Sequence, residues 1–286
     1  MSEVALFIHS TATGPFMWRP LLADLPEGIT PLTPVNRGYA PHDLLPRGSA
    51  FSVQDEVAHL KAQIPPGTTG VHLGGHSYGG FVALTLAREM GLPVRSLWLY
   101  EPVLFGALRA EPQRHSPEVA AQVADLYGAN SMLDEAEGGS EGWIERFIDY
   151  WNHPGMWASM PEKARAMTRP VGWKMFREVC SVSTEPQSFA HYQLDLPVTL
   201  VHGERTTPPA QAMVSRLAEE MKPQGKVVQF MAPTVCMCST MQRIDPQHLA
   251  WTLENLAEGK VVNQIKVPGH EAELARIALD RMLAVS

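Results

Sequence analysis

Apolar runs of strand length recur along the chain at residues 4–8, 29–35, 69–73, 94–100 and 198–201. The first four alternate with helix-like stretches, at 16–25, 52–63 and 79–90. Strand followed by helix, repeated, predicts a parallel sheet covered by helices on both faces, an α/β fold. From residue 105 to about 196 the pattern changes to helices alone, with amphipathic segments at 119–127, 142–151, 161–167 and 171–179. The predicted plan is therefore a core formed by residues 1–104 and 197–286, with a helical cap, 105–196, inserted after the fourth strand.

Composition narrows the class of function. A chain of 286 residues that is 45% hydrophobic can bury one large core. A net charge of −7 with no basic run gives no electrostatic footprint for nucleic acid or an anionic membrane, so a small organic ligand is the expected partner. The apolar stretch 5–8 is too short for a signal sequence, and no run reaches about 18 apolar residues, so a soluble, cytoplasmic protein is expected. The three cysteines, Cys180, Cys236 and Cys238, are an odd number without a second C-x-C pair, so reduced thiols are expected and no metal. Neither the pattern nor the composition indicates an oligomeric state.

The candidate chemistry lies at residues 74–80, Gly-Gly-His-Ser-Tyr-Gly-Gly, between the third strand and the next helix. G-x-S-x-G in that setting is a nucleophile elbow, a tight turn that lifts Ser77 above the sheet. Glycines 75, 79 and 80 supply the room for backbone to approach the turn. A phosphate loop would instead carry G-K-[ST], which is absent here. The helix begins directly after Ser77, so the Tyr78 N–H faces any oxyanion formed there.

With His9-Ser10-Thr11 after the first strand and Trp18 beyond it, the chain resembles the α/β-hydrolase superfamily. The resemblance extends through Tyr100-Glu101-Pro102-Val103-Leu104-Phe105 and the segment Tyr150-Trp151-Asn152 with Gly155 and Trp157, both similar to motifs of a bacterial subgroup. It implies that the Thr11 N–H is a second oxyanion donor, although Ser10 replaces the commoner glycine. His9 is expected to brace this loop.

The resemblance also implies an acid and a histidine. Thr206 occupies the usual aspartate slot, so the acid is expected from Glu101, at the end of the fourth strand, or else from Glu204. The histidine depends on which strand is last. If it is 226–231, the following loop holds Cys236 and no histidine. If it is 261–267, it ends in Pro268-Gly269-His270, and His270 is the expected base, with His248 a weaker choice. His76 is expected to pack beneath the elbow.

Ser77, His270 and Glu101 would then form the catalytic set of a serine hydrolase cleaving an ester or thioester of a small hydrophobic substrate, without a cofactor. Trp151, Met156 and Trp157 are the expected substrate contacts, from an aromatic and methionine-rich group that includes Trp143, Phe147, Met160, Trp173 and Met175. Cleavage of a C–C bond by the same pair, or a binding protein on this fold without catalysis, are the alternatives.

Overall fold

The computed structural model describes residues 3–232, apart from 23–24, 26, 90, 92, 129–130, 204–205 and 222–226. Six strands, β1 (Glu3–Ile8), β2 (Ile29–Leu32), β3 (Gly70–His76), β4 (Val94–Tyr100), β5 (Val198–Gly203) and β6 (Val227–Ala232), form one sheet in the order β2-β1-β3-β4-β5-β6. All five pairings are parallel, which requires a crossover between successive strands. The short helix α1 (Arg19–Leu22) and α2 (Val53–Lys61) serve the first crossovers, α3 (Tyr78–Glu89) joins β3 to β4, and α10 (Pro208–Met221) joins β5 to β6. All six positions of β5 and all seven of β3 are buried, as a sheet covered on both faces requires.

The expected strand at 29–35 ends at Leu32. Pro34 has no N–H for a ladder, and the chain turns so that Asn36 can donate its side-chain N–H to the His9 carbonyl. The third strand runs longer than its apolar run because Gly74 and Gly75 continue the extended backbone to His76. A Cβ on Gly74 would stand 2.4 Å from the Phe7 ring, so that position has no space for a side chain.

Between β4 and β5 the chain runs through helices only: α4 (Phe105–Ala110), α5 (Pro117–Leu126), α6 (Glu141–Trp151), α7 (Met156–Ser159), α8 (Glu162–Thr168) and α9 (Gly172–Thr184), with short 3-10 turns among them. Serine caps begin two of these: Ser116 accepts from the Val119 N–H, and Ser140 from the Trp143 N–H. The helices bury a cluster of their own, centred on Trp143, Phe147, Trp157, Trp173 and Phe176. The larger core lies under α3, between the sheet and helices α2, α4 and α10.

β6 occupies 227–232, so the earlier of the two candidate final strands belongs to the sheet. The later one, 261–267, lies outside the described residues, as do His248, His270, Cys236, Cys238 and Glu204. Among the described residues no helix is long and apolar enough to cross a membrane.

Candidate active site

Ser77 follows β3 directly and precedes the first residue of α3. Its φ of +54° is the left-handed backbone that an elbow needs, at a cost of roughly 1–2 kcal/mol for a residue with a Cβ. The neighbouring glycines let this turn close. A Cβ on Gly75 would stand 2.3 Å from the Gly79 carbonyl oxygen, and one on Gly79 would stand 2.2 Å from that of Ile8. Gly80 is similarly tight against Pro102, at 2.8 Å. The turn is pinned to the next strand, since the Ser77 N–H donates to the Tyr100 carbonyl at 2.9 Å.

Among the described residues, three that are not glycine have positive φ: Ala12 (+62°), Ser77 (+54°) and Glu101 (+44°). All three line one cavity at the carboxyl edge of the sheet, together with Ser10, Thr11, His76, Trp151 and Met156. Strained backbone concentrated at one cleft is characteristic of a functional site. A second, more apolar cavity meets Ser77 from the other side, walled by Val103, Phe105, Leu126, Met132 and Val182. Thr11, Ser77, Phe147 and Trp151 border both.

The expected substrate contacts divide. Trp151 and Met156 line the cleft with Phe147 and Met160. Trp157 is only 2% exposed and belongs to the packed centre of the helical layer, where its backbone N–H donates to Asp149 Oδ1 and Arg169 lies over its ring. Trp143, Trp173 and Met175 are buried in the same cluster, so their apolar surface supports the helices and not the cleft.

Glu101 closes the end of β4. Its N–H donates to the Val201 carbonyl, and its Oε1 accepts from the Gly203 N–H at 2.8 Å, so the carboxylate spans to the end of β5. Burial pushes its carboxyl up to about 7, against the opposing effect of that accepted hydrogen bond. A carboxylate at this position can orient and stabilise an imidazolium.

The loop after β1 is braced as expected. His9 accepts the Asn36 N–H at Nε2 at 3.0 Å and places Nδ1 2.9 Å from the Ser10 carbonyl, which occupies both ring nitrogens. Burial lowers its pKa to about 3, so the ring is neutral and serves as a strut. His76, expected to pack beneath the elbow, sets its ring edge-on against Tyr100 and also borders the cleft that Ser77 and Glu101 line. His72 and His202 are buried along their strands, and burial lowers both.

One group of residues was not anticipated. Lys174, on α9, is fully buried and donates to Glu56 Oε2 at 2.7 Å and to Glu178 Oε1 at 2.5 Å. Tyr39 donates to Glu178 Oε2 at 2.8 Å, and Glu178 lines the apolar cavity with Ser77. The available signal was Lys174 and Glu178 four residues apart on the apolar face of a predicted helix, where charge needs a partner.

A sequence model of the alpha/beta hydrolase family matches residues 5–237, and the chain belongs to that family. A second model, quinolinate synthetase A protein, matches residues 209–284 and so overlaps the first across α10 and β6. The quinolinate synthase of Acidobacterium capsulatum is 56% identical to this chain over 73 residues, 26% of the chain. The aligned part is only 20% of that enzyme, about a fifth of its length. Among solved structures, a thermophilic esterase from Thermogutta terrifontis aligns over 90% of both chains with a TM-score of 0.53 and 16% identity. An enol-lactonase from Burkholderia xenovorans aligns over 91% of both with a TM-score of 0.53 and 14% identity. At these identities the likeness concerns the fold.

Proposed function

We propose that this member of the hydrolase family is a serine hydrolase cleaving a carboxylic ester or thioester of a small hydrophobic substrate through an acyl-enzyme. The observation that carries this reading is Ser77, held at positive φ on a glycine-cleared turn that opens where an apolar cavity meets a more polar one. The apolar cavity suits an acyl group and the other suits a leaving group.

In the proposed reaction the Ser77 hydroxyl passes its proton to an imidazole while its oxygen bonds to the substrate carbonyl carbon. The Tyr78 and Thr11 N–H groups hold the resulting oxyanion. Collapse breaks the bond to the leaving group, which takes the proton from the imidazolium that Glu101 stabilises. Water then repeats the sequence and releases the acid. His270 is the proposed imidazole donor.

A second reading has its own support. The hydrolase match ends at residue 237, and residues 233–237 contain no histidine. His270 belongs to the segment that matches the quinolinate synthetase model. A chain lacking the base would be a binding protein on a hydrolase fold.

Turnover of a short-chain p-nitrophenyl ester, with fluorophosphonate labelling, separates the two. Wild type is expected to turn over and label at Ser77, and Ser77→Ala to do neither. His270→Ala is expected to abolish labelling while His248→Ala retains it. Absence of turnover and labelling in wild type overturns the hydrolase reading in favour of binding.

A further inference from the structure

The buried group around Lys174 connects parts of the molecule that are far apart in sequence. The ammonium donates to Glu56 on α2 and to Glu178 one turn along α9. It also lies over three aromatic rings, at 4.2 Å from the Phe51 centroid, 5.0 Å from that of Tyr78 and 5.1 Å from that of Tyr39. Glu56 is satisfied on its other oxygen by the Arg37 N–H at 2.8 Å.

Two of these partners border the oxyanion region. Tyr78 follows Ser77 and supplies the first N–H of the proposed hole. The Tyr39 hydroxyl accepts the Ala12 N–H at 3.0 Å while donating to Glu178, and its ring meets His9 edge-on at 5.0 Å. Ala12 is one of the three strained positions, next to Thr11, and a positive φ persists only where surrounding groups hold it. Residues 10 and 13 brace the loop locally, through the Thr13 hydroxyl bond to the Ser10 carbonyl. Tyr39 braces it from outside.

We infer that Tyr39 and Glu178 are positioning residues that fix the loop at residues 10–13 in register with Ser77, so that seating of α9 against the core sets the geometry of the oxyanion hole. The catalytic consequence rests on the proposed hydrolase reading, and the restraint on the loop rests on the Ala12–Tyr39–Glu178 hydrogen bonds alone. Glu178 completes the chain from Lys174 to Tyr39 to the Ala12 amide, and the Thr11 hydroxyl faces the same carboxylate. Neither residue touches the reacting atoms in this scheme.

The test is Tyr39→Phe, which removes one hydroxyl and leaves the ring against His9 and Lys174. Amide exchange at residues 11–13 is expected to rise about tenfold or more relative to wild type while exchange along β3 and β4 stays unchanged. Ester kcat is expected to fall about tenfold or more with KM within about threefold, the split that follows from losing a contact to the transition state. Glu178→Ala should reproduce this, Glu178→Gln should restore most of it, and Tyr39→Phe combined with Glu178→Ala should lose little more than either alone. Unchanged exchange at residues 11–13 in Tyr39→Phe overturns the restraint, whatever the enzyme does. Faster exchange with unchanged kcat in an active enzyme overturns the catalytic consequence. Wild type without turnover or Ser77 labelling overturns the hydrolase reading instead and leaves the exchange result to decide the restraint.

Discussion

The nucleophile turn and the loop expected to carry the base are built by opposite means. At residues 74–80 every requirement is local: three glycines sit against backbone or Pro102, one serine is strained, and a helix starts at the next residue. Backbone crowding alone dictates those residue types, so the turn can be recognised in seven consecutive positions. On the proposed reading the base comes from a loop whose location depends on which strand ends the sheet, and beyond residue 237 the chain matches a different family from the one that builds the elbow. Local sterics therefore mark a candidate nucleophile far more firmly than sequence order marks its candidate partner.

That contrast can be broken at several points. The largest effect is expected at Ser77→Ala, which should lower ester kcat by roughly 10⁴-fold or more. If His270→Ala matches it, the C-terminal stretch supplies the base, and an unchanged rate assigns the base elsewhere. Gly79→Ala should cost roughly 3 kcal/mol or more of stability in denaturant unfolding, because its Cβ would fall 2.2 Å from the Ile8 carbonyl oxygen and backbone cannot yield there. An unchanged midpoint would show that the elbow relaxes more readily than its packing implies.

Glu101→Gln should reduce kcat/KM by about 100-fold at pH 8 and change the pH dependence. Because burial raises the Glu101 carboxyl to about 7, wild-type activity should fall as pH drops through that value and the carboxylate is lost. Stability has the opposite sign. The folded-state pKa lies above the unfolded value of 4.5, so the contribution is complete below about 4.5 and is lost as pH rises through about 7. The glutamine variant should show a flatter stability profile across that window. Trp151→Ala should have the smallest effect, raising KM by about tenfold for a bulky ester with less change in kcat, since the ring walls both cavities without approaching a proton in transfer.

Much of the fold was legible. The fourth apolar run became β4 residue for residue, and each helical segment that was expected lies within a few positions of an observed one, with α9 extending from 179 to Thr184, whereas α4, α7 and α10 were not among those expected. Such runs are readable because burial on both faces demands continuous apolar sequence. The short β2 was over-extended since Val35 is apolar yet 39% exposed beyond the strand end at Leu32, so hydrophobicity there did not signify sheet. In the site, Ser77 and Glu101 were legible from position and meet in one cleft. Trp157 was not, because an aromatic ring that packs helices together and one that walls a cleft carry the same sequence signal. Lys174 carried a signal, a charge on the apolar face of a predicted helix, but its partners Glu56 and Tyr39 lie 118 and 135 positions away and only the fold brings them to it.

Phe147 and Trp151, one turn apart on α6, face both compartments beside Ser77. A shift or rotation of that single helix would widen one compartment as it narrows the other. On the proposed reading, preference for the two halves of a substrate is thereby mechanically linked, and broadening it on one side through this helix carries a penalty on the opposite side.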